Sequence, residues 1–314
     1  MKRDYSIDAF RGIAILGMVF FTLTLRLSSN LPDILRHNSS GSVHLGDLVL
    51  PMFLFASGLS LAFFLNKKNM EEQKIFYRKV LGRFGKLALI GISLSIFSAN
   101  GFLEMDEVML SAILFIACVV LSRFDWKINL GFIFFVSLSY IVLIQLDKVG
   151  IFSGHYLGGY PAALYYLPVM LTGLLMGKGI ISEGLWCRSN KIISWAIFIF
   201  FLFFMIFIPL DKIIVTPSFI MLSTLFCIIS FSLIVIIIAH ISSLKILQYI
   251  GRNPIIYWIL MYVILLIPLR FYVEIYDMSI PLNVEWHIGI LLSLGSMLLL
   301  FILYRFIDRI FISN

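Results

Sequence analysis

Charged residues are scarce in this chain: 13% of its 314 residues are Asp, Glu, Lys or Arg, whereas 61% are hydrophobic. Soluble domains carry roughly a quarter charged residues, so the composition excludes an ordinary water-soluble protein. The mean hydropathy of +1.03 is typical of a chain whose solvent is the lipid bilayer. Nucleic-acid binding is excluded too, because the basic residues cluster in short segments between apolar runs and form no binding face.

Cysteine and the common catalytic motifs are also rare or missing. Cys118, Cys187 and Cys227 have no Cys or His partner at metal-site spacing, so we predict neither a disulfide framework nor a bound metal. The sequence contains no GxSxG, P-loop, HExxH or GxGxxG pattern. A comparison of residues 1–150 with 160–314 shows no convincing repeat of the kind found in many secondary transporters.

Long apolar runs dominate what is present. A bilayer-spanning helix needs about 20 mostly apolar residues, so we predict an all-α polytopic membrane bundle that forms a single domain over residues 1–314. The run from Ala9 is expected to be a retained first helix, because no small-x-small cleavage site follows it. Pro51, Pro168 and Pro254 should mark kinks or helix starts. The ten predicted spans are 9–26, 45–65, 84–100, 107–122, 128–146, 160–181, 191–210, 217–240, 253–273 and 286–307.

The distribution of basic residues predicts the orientation of these spans. With the N-terminus in the cytoplasm and alternating sides, 19 of the 24 Lys and Arg residues fall on inner segments. This is a strong positive-inside bias, and it predicts an even number of spans with both termini cytoplasmic. The five on outer segments are Arg26, Arg36, Lys148, Lys212 and Arg270.

The inner segment 66–86 is predicted to be a strongly basic loop. One interpretation is a topology determinant that faces anionic lipid. The other is a landing site for a polyanionic cytosolic donor, such as a nucleotide-bearing thioester.

Ionisable residues at the edges of the spans are the functional candidates, because an unpaired charge in lipid is costly. Asp8 and Arg11 lie three residues apart on one helical face and form either an interface ion pair or part of a site. Asp47 begins the second span, where a carboxylate also suits a helix cap. In the preceding outer loop, His37 is a candidate base or acyl acceptor, and His44 is its rival.

Taken together, these residues resemble the transmembrane acetyltransferases related to heparan-α-glucosaminide N-acetyltransferase, including bacterial relatives. The opening Arg3-x-x-Ser6-x-Asp8-x-x-Arg11-Gly12 resembles the family's R-x-x-S-x-D-x-x-R-G. The family's H-(x)9-D-L-V-F-P-x-F-x-F-x-x-G motif appears from His37 through Asp47-Leu48-Val49-Leu50-Pro51 to Gly58. Later segments resemble it more weakly: Lys212 with Thr216-Pro217-Ser218-Phe219, and Gly251-Arg252-Asn253-Pro254 with Tyr257.

The resemblance implies acetyl transfer from cytosolic acetyl-CoA to an amino-sugar or cell-envelope glycan acceptor on the outer face. It places the catalytic histidine at His37, with Asp47 in the same motif. Where the family has an asparagine four residues after the methionine of the first span, this chain has Thr22. Thr22, Asn253 and Asn30 are the candidate oxyanion donors. Four inward basic residues are candidates for the CoA phosphates: Arg11, Arg83, Lys86 and Arg252.

Two further expectations follow. The resemblance implies a possible homodimer, and the membrane is predicted to be the bacterial inner membrane. The competing function is a transporter or flippase for a small polar or lipid-linked substrate, which would also use several spans and intramembrane polar groups.

Overall fold

The computed structural model describes residues 5–28, 30–36, 43–66, 73–97, 106–146, 159–212, 214–240, 244–275, 282 and 284–312. These residues form helices and short connections, with no strand among them. A 3-10 turn covers Asp33–Leu35. The α-helices in chain order are α1 Tyr5–Leu27, α2 Leu45–Asn66, α3 Gln73–Phe97, α4 Glu107–Leu121, α5 Trp126–Leu146, α6 Gly159–Glu183, α7 Arg188–Phe207, α8 Pro217–His240, α9 Lys245–Arg252, α10 Pro254–Met261, α11 Ile267–Ile275 and α12 Trp286–Ile307.

Each of the ten predicted spans overlaps at least one of these helices. Seven helical segments among the described residues are long and apolar enough to cross a bilayer, so the protein is an all-α integral membrane protein. They are Tyr5–Leu27, Leu45–Asn66, Ala163–Glu183, Arg188–Phe207, Pro217–Ile238, Pro254–Val273 and Trp286–Ile310. The total of ten crossings and the cytoplasmic termini stay predictions.

Helices α3, α4 and α5 account for the difference between the seven candidate spans and the ten predicted ones. The apolar stretches Glu107–Leu121 of α4 and Trp126–Val142 of α5 are shorter than the seven. α3 begins at Gln73 and not at Phe84, so the predicted loop 66–86 was wrong over residues 73–86. Hydropathy marks where apolar residues begin, but Lys, Arg, Gln and Leu are all good helix formers and carry the helix further.

The predicted span 253–273 is one apolar stretch built from three helical pieces. Helix α10 is followed by a π-helical turn at Tyr262–Leu266, and then by α11. The turn ends just before Pro268, which lacks an N–H and would clash with the carbonyl four residues earlier in a regular helix. A wider i→i+5 turn removes that conflict, and the Ile267 N–H bonds to the Tyr262 carbonyl accordingly.

The chain divides into two compact units. The first contains α1, the start of α2 up to Val49, and the chain from Ile234 onward, which includes α9 to α12. In this unit α1 packs against α9, α10 and α12. At the other end of α1, the Leu282 and Val284 N–H groups bond to the Arg26 and Leu27 carbonyls.

The second unit contains α2 from Leu50 through α7 and most of α8. Glycines allow α2 and α6 to approach each other closely: a Cβ at Gly58 would strike the Met170 carbonyl, and one at Gly173 the Phe55 carbonyl. Gly177 packs on Ala62 and Leu59 in the same way. The small residues of α6 therefore serve packing within the chain, and the homodimer stays a prediction.

Candidate functional site

Two segments from opposite ends of the sequence meet where α1 packs on α9. A Cβ on Gly12 would clash with the Leu247 carbonyl, and a Cβ on Gly251 with the Asp8 carbonyl. Only glycine permits two helices to touch backbone to backbone in this way. The opening motif around Asp8 and Gly12 is thereby joined to the late Gly251-Arg252-Asn253-Pro254 segment.

An ion pair marks this end of α1. Arg11 donates to Asp8 over 2.5 Å, and the two side chains are 14% and 3% exposed. Removing one partner of such a pair leaves a buried charge and costs about 3–5 kcal/mol. Arg252, beside Gly251, is exposed, whereas Asn253 is half-buried between α9 and α10. Pro254 is the first residue of α10, so it marks a helix start as predicted, and Asn253 is the N-cap residue, although its side chain makes no capping bond.

The start of α2 forms a second polar group. The buried Asp47 carboxylate accepts a hydrogen bond from the His44 N–H at 2.9 Å. This is half of a capping box, in which a side chain of the first turn satisfies a backbone N–H just outside the helix. Asp47 therefore has the capping role considered from the sequence, and through it holds the backbone of His44 in place.

The His44 ring is held from the other side as well. Its Nδ1 lies 3.1 Å from the Arg36 carbonyl oxygen. A carbonyl only accepts hydrogen bonds, so the proton must be on Nδ1, and in the neutral ring Nε2 then carries the lone pair. His37 follows Arg36 in the sequence and lies outside the described residues.

The remaining catalytic candidates lie at different levels of α1. A Cβ on Gly17 would contact the Val49 side chain, so the first turns of α2 pack at the level of Gly17. Thr22 is half-buried and lies about 7.5 Å beyond Gly17, at 1.5 Å per residue. It is about 20 Å from the level of Asp8, where Gly251 and Asn253 pack. Thr22 and Asp47 thus share the His44 end of α1, and Asn253 does not.

The two basic candidates on α3 belong to the second unit, and both side chains are exposed. The Arg83 guanidinium lies 5.4 Å from the ring centroid of Phe64 and 5.8 Å from that of Phe115. These cation–π contacts orient Arg83 along the surface of the bundle. Lys86 lies one turn further along the same helix.

Sequence reasoning missed two basic residues that line a pocket in the second unit. Arg123 follows α4, and Lys178 lies within the apolar α6. Lys178 lies inside the predicted span 160–181, and a lysine in an apolar span was the available signal, but it was used only in the count of inner basic residues. Within the described residues, no group of three or more His, Cys, Asp or Glu is placed to hold a metal.

The fold and these polar groups define a polytopic helical membrane protein with one polar group at each end of its first helix. Residues 3–157 match the family model described as the catalytic domain of heparan-alpha-glucosaminide N-acetyltransferase. The chain is related to this acetyltransferase family. The matched range contains the Arg3–Gly12 and His37–Gly58 motifs, whereas the Gly251–Tyr257 segment lies beyond it. Comparison with the curated proteins gives no match.

Proposed function

We propose that this protein is a membrane acetyltransferase that uses cytosolic acetyl-CoA and an amino-sugar or envelope-glycan acceptor on the outer face. The match of residues 3–157 to the acetyltransferase family model carries this proposal. The fold supports the proposal because Gly12 contacts α9 and Gly251 contacts α1. These contacts bring the two motif segments together in one unit.

Acetyl transfer from a thioester needs a nucleophile, a base that takes its proton, and donors for the developing oxyanion. We assign the base, or the residue that accepts the acetyl group, to His37. In the direct route, the acceptor nitrogen or oxygen attacks the thioester carbon, His37 takes its proton, and the CoA thiolate leaves. In the two-step route, a ring nitrogen of His37 attacks the thioester carbon and the CoA thiolate leaves. The acceptor then attacks the acetyl carbon, loses its proton to solvent and releases the His37 ring.

His44 is the rival base. Its Nδ1–H donates to the Arg36 carbonyl and its backbone is held by Asp47, so the Nε2 lone pair is oriented before any substrate binds. A histidine oriented by a carbonyl at Nδ1 is a common arrangement for a general base. Asp47 is accordingly proposed to act as a positioning residue.

The other candidates divide between the two ends of α1. Thr22 is proposed as the oxyanion donor, because it shares the end of α1 that carries the start of α2. Arg11, Arg252 and Asn253 lie toward the other end, predicted to be cytosolic, and are proposed to interact with the donor. Asn253 was a candidate oxyanion donor from the sequence, and a contact with the donor is proposed for it instead. Arg83 and Lys86, on the basic half of α3, are proposed to attract the CoA phosphates.

The deciding experiment measures acetyl-CoA binding and turnover by purified protein with an amino-sugar acceptor. We expect wild-type protein to bind and turn over acetyl-CoA. We expect His37→Ala to keep binding and to lose at least about 100-fold in rate, the contribution of a general base. His44→Ala is the matched control and should lose less than His37→Ala.

A larger loss in His44→Ala than in His37→Ala would transfer the role of base to His44. Failure of wild-type protein to bind acetyl-CoA would refute the acetyltransferase proposal. The transporter or flippase alternative would then be tested by substrate uptake in vesicles.

A further inference from the structure

A pocket of about 390 Å³ lies in the second unit, where the ends of four helices, α2, α3, α4 and α6, come together. The last turns of α2 and α6 contribute Asn66 and Ser182, and the first turns of α3 contribute Tyr77. Ser122, which directly follows α4, also lines the pocket. This volume is in the range of ligand-binding pockets, about 300–1,000 Å³. The positive-inside count places this end of the four helices at the cytosolic face.

Two cations project into the pocket. The Lys178 Nζ donates to the Ser122 carbonyl at 2.6 Å, and the Arg123 Nη2 donates to the Tyr77 hydroxyl at 2.6 Å. The Arg123 guanidinium also lies 5.8 Å from the Tyr77 ring centroid. An ammonium has three N–H donors and a guanidinium has five, so each cation has donors beyond the bond described.

The charge of the pocket is one-sided. None of the described residues that line it is acidic. Asp125, outside the lining, attracts the Lys178 ammonium electrostatically and offsets part of the charge. A concave site lined by cations and no described acidic residue concentrates anions. The Ser122 and Ser182 hydroxyls donate to the Val119 and Gly179 carbonyls, so Lys178 and Arg123 supply the donors for phosphate oxygens.

We propose that this pocket binds a phosphate-bearing anion that enters from the cytosolic side. Two sources share that chemistry: the phosphates of the acyl donor CoA and the headgroup of an anionic phospholipid. Assignment to CoA rests on the acetyltransferase function proposed above. Assignment to a lipid headgroup does not.

The test uses the full-length protein in nanodiscs of neutral phosphatidylcholine, with CoA affinity measured by calorimetry. Lys178→Met and Arg123→Gln should each weaken CoA binding about tenfold, which corresponds to about 1.4 kcal/mol. Lys191→Met and Arg188→Gln are matched controls on the exposed start of α7, and should change the affinity less than about twofold. Pantetheine, which has no phosphate, should bind all five proteins equally.

A second arm tests the lipid source. Thermal stability is measured after phosphatidylglycerol replaces part of the phosphatidylcholine. Loss of the lipid-induced stabilisation in both pocket variants, with unchanged CoA affinity, would assign the pocket to a lipid headgroup. Because Lys178→Met could disturb packing, Lys178→Arg is included, and it should retain phosphate-dependent binding.

The proposal is overturned if the pocket variants and the surface controls have the same CoA affinity and the same response to phosphatidylglycerol. The proposal would also be overturned if the pocket variants had a lower melting temperature but the same CoA affinity and the same stabilisation by phosphatidylglycerol as the wild type. In that case Lys178 only neutralises the carbonyl end of α4, and Arg123 only contacts Tyr77. Acetyl-CoA turnover by the wild-type protein tests the proposed enzyme function separately from either outcome.

Discussion

At the scale of single residues, Tyr249 joins the short helix α9 to the end of α12. Its hydroxyl donates to Asp308 Oδ2 at 2.6 Å, and its backbone carbonyl accepts from the Tyr304 hydroxyl at 3.3 Å. Burial raises the pKa of Tyr249 above its ordinary value, and the Asp308 carboxylate raises that pKa further. The phenol therefore stays protonated and remains a donor throughout the neutral range.

Tyr249→Phe should lower the free energy of unfolding by about 1–3 kcal/mol, because the Asp308 carboxylate loses a hydrogen bond. A raised pKa contributes stability below the unfolded value of about 10, and this contribution is lost only as the pH rises toward the higher folded-state pKa. The difference from wild type should therefore be constant between about pH 7 and 9. Thermal unfolding in detergent measures it.

Tyr5→Phe is the control for this change, since Tyr5 is 53% exposed. An equal effect of the two substitutions, or a difference that changes across that pH range, would contradict the assigned role of Tyr249.

At the scale of elements, the contact between α1 and α9 depends on glycine. Gly251→Ala and Gly12→Ala would each place a Cβ against backbone atoms that have little room to move. Each should destabilise the protein by about 1–3 kcal/mol or more, and should lower acetyl-CoA turnover by shifting Arg252 and Asn253. Melting temperature and initial rate are the two measurements.

Gly131→Ala in α5 supplies the comparison. A Cβ at Gly131 meets nothing within 4 Å, so alanine there should stabilise the helix slightly, by about 0.5–1 kcal/mol. If Gly251→Ala changes the melting temperature and the initial rate no more than Gly131→Ala does, the close contact between α1 and α9 does not contribute to stability or turnover.

At the scale of the whole molecule, the number of membrane crossings has a direct test. Asn30 and Glu183 are both exposed, and helices α2 to α6 lie between them. If all five helices cross, the two positions face opposite sides of the membrane. If α3, α4 and α5 do not cross, only α2 and α6 do, and the two positions share a side.

We expect opposite sides. In a variant without native cysteines, an impermeant maleimide applied to intact cells should label Asn30→Cys but not Glu183→Cys. Permeabilised cells, in which both should react, provide the control. Labelling of both in intact cells would instead support seven crossings and place the termini on opposite sides.

Much of the fold could be predicted because the bilayer imposes a simple rule on composition. Every predicted span overlaps a helix, since about 20 apolar residues in lipid must satisfy their own backbone hydrogen bonds. The start of α3 was missed because the basic residues before Phe84 continue the helix without being apolar. The π-helical turn before Pro268 was also missed, since span prediction does not resolve helix geometry.

The candidate site was predictable in its residue types but not in its arrangement. The motifs indicated Asp8, Arg11, Asp47 and Asn253, and Thr22 was noted as a departure from the family. Thr22 and Asn253 were both candidate oxyanion donors. The packing of Gly251 on the Asp8 end of α1 separates these two residues. Lys178 was used only in the count of inner basic residues, and its place in the pocket depends on where α4 ends.

The sequence alone determined the membrane class, the helical character and the relation to the acetyltransferase family, because composition and short motifs are local properties of the chain. Tertiary structure decided which motifs meet. Gly12 touches α9 and Lys178 reaches Ser122 although each pair is far apart in sequence. Contacts of this kind depend on how helices pack, and the spacing of residues along one segment contains no record of them.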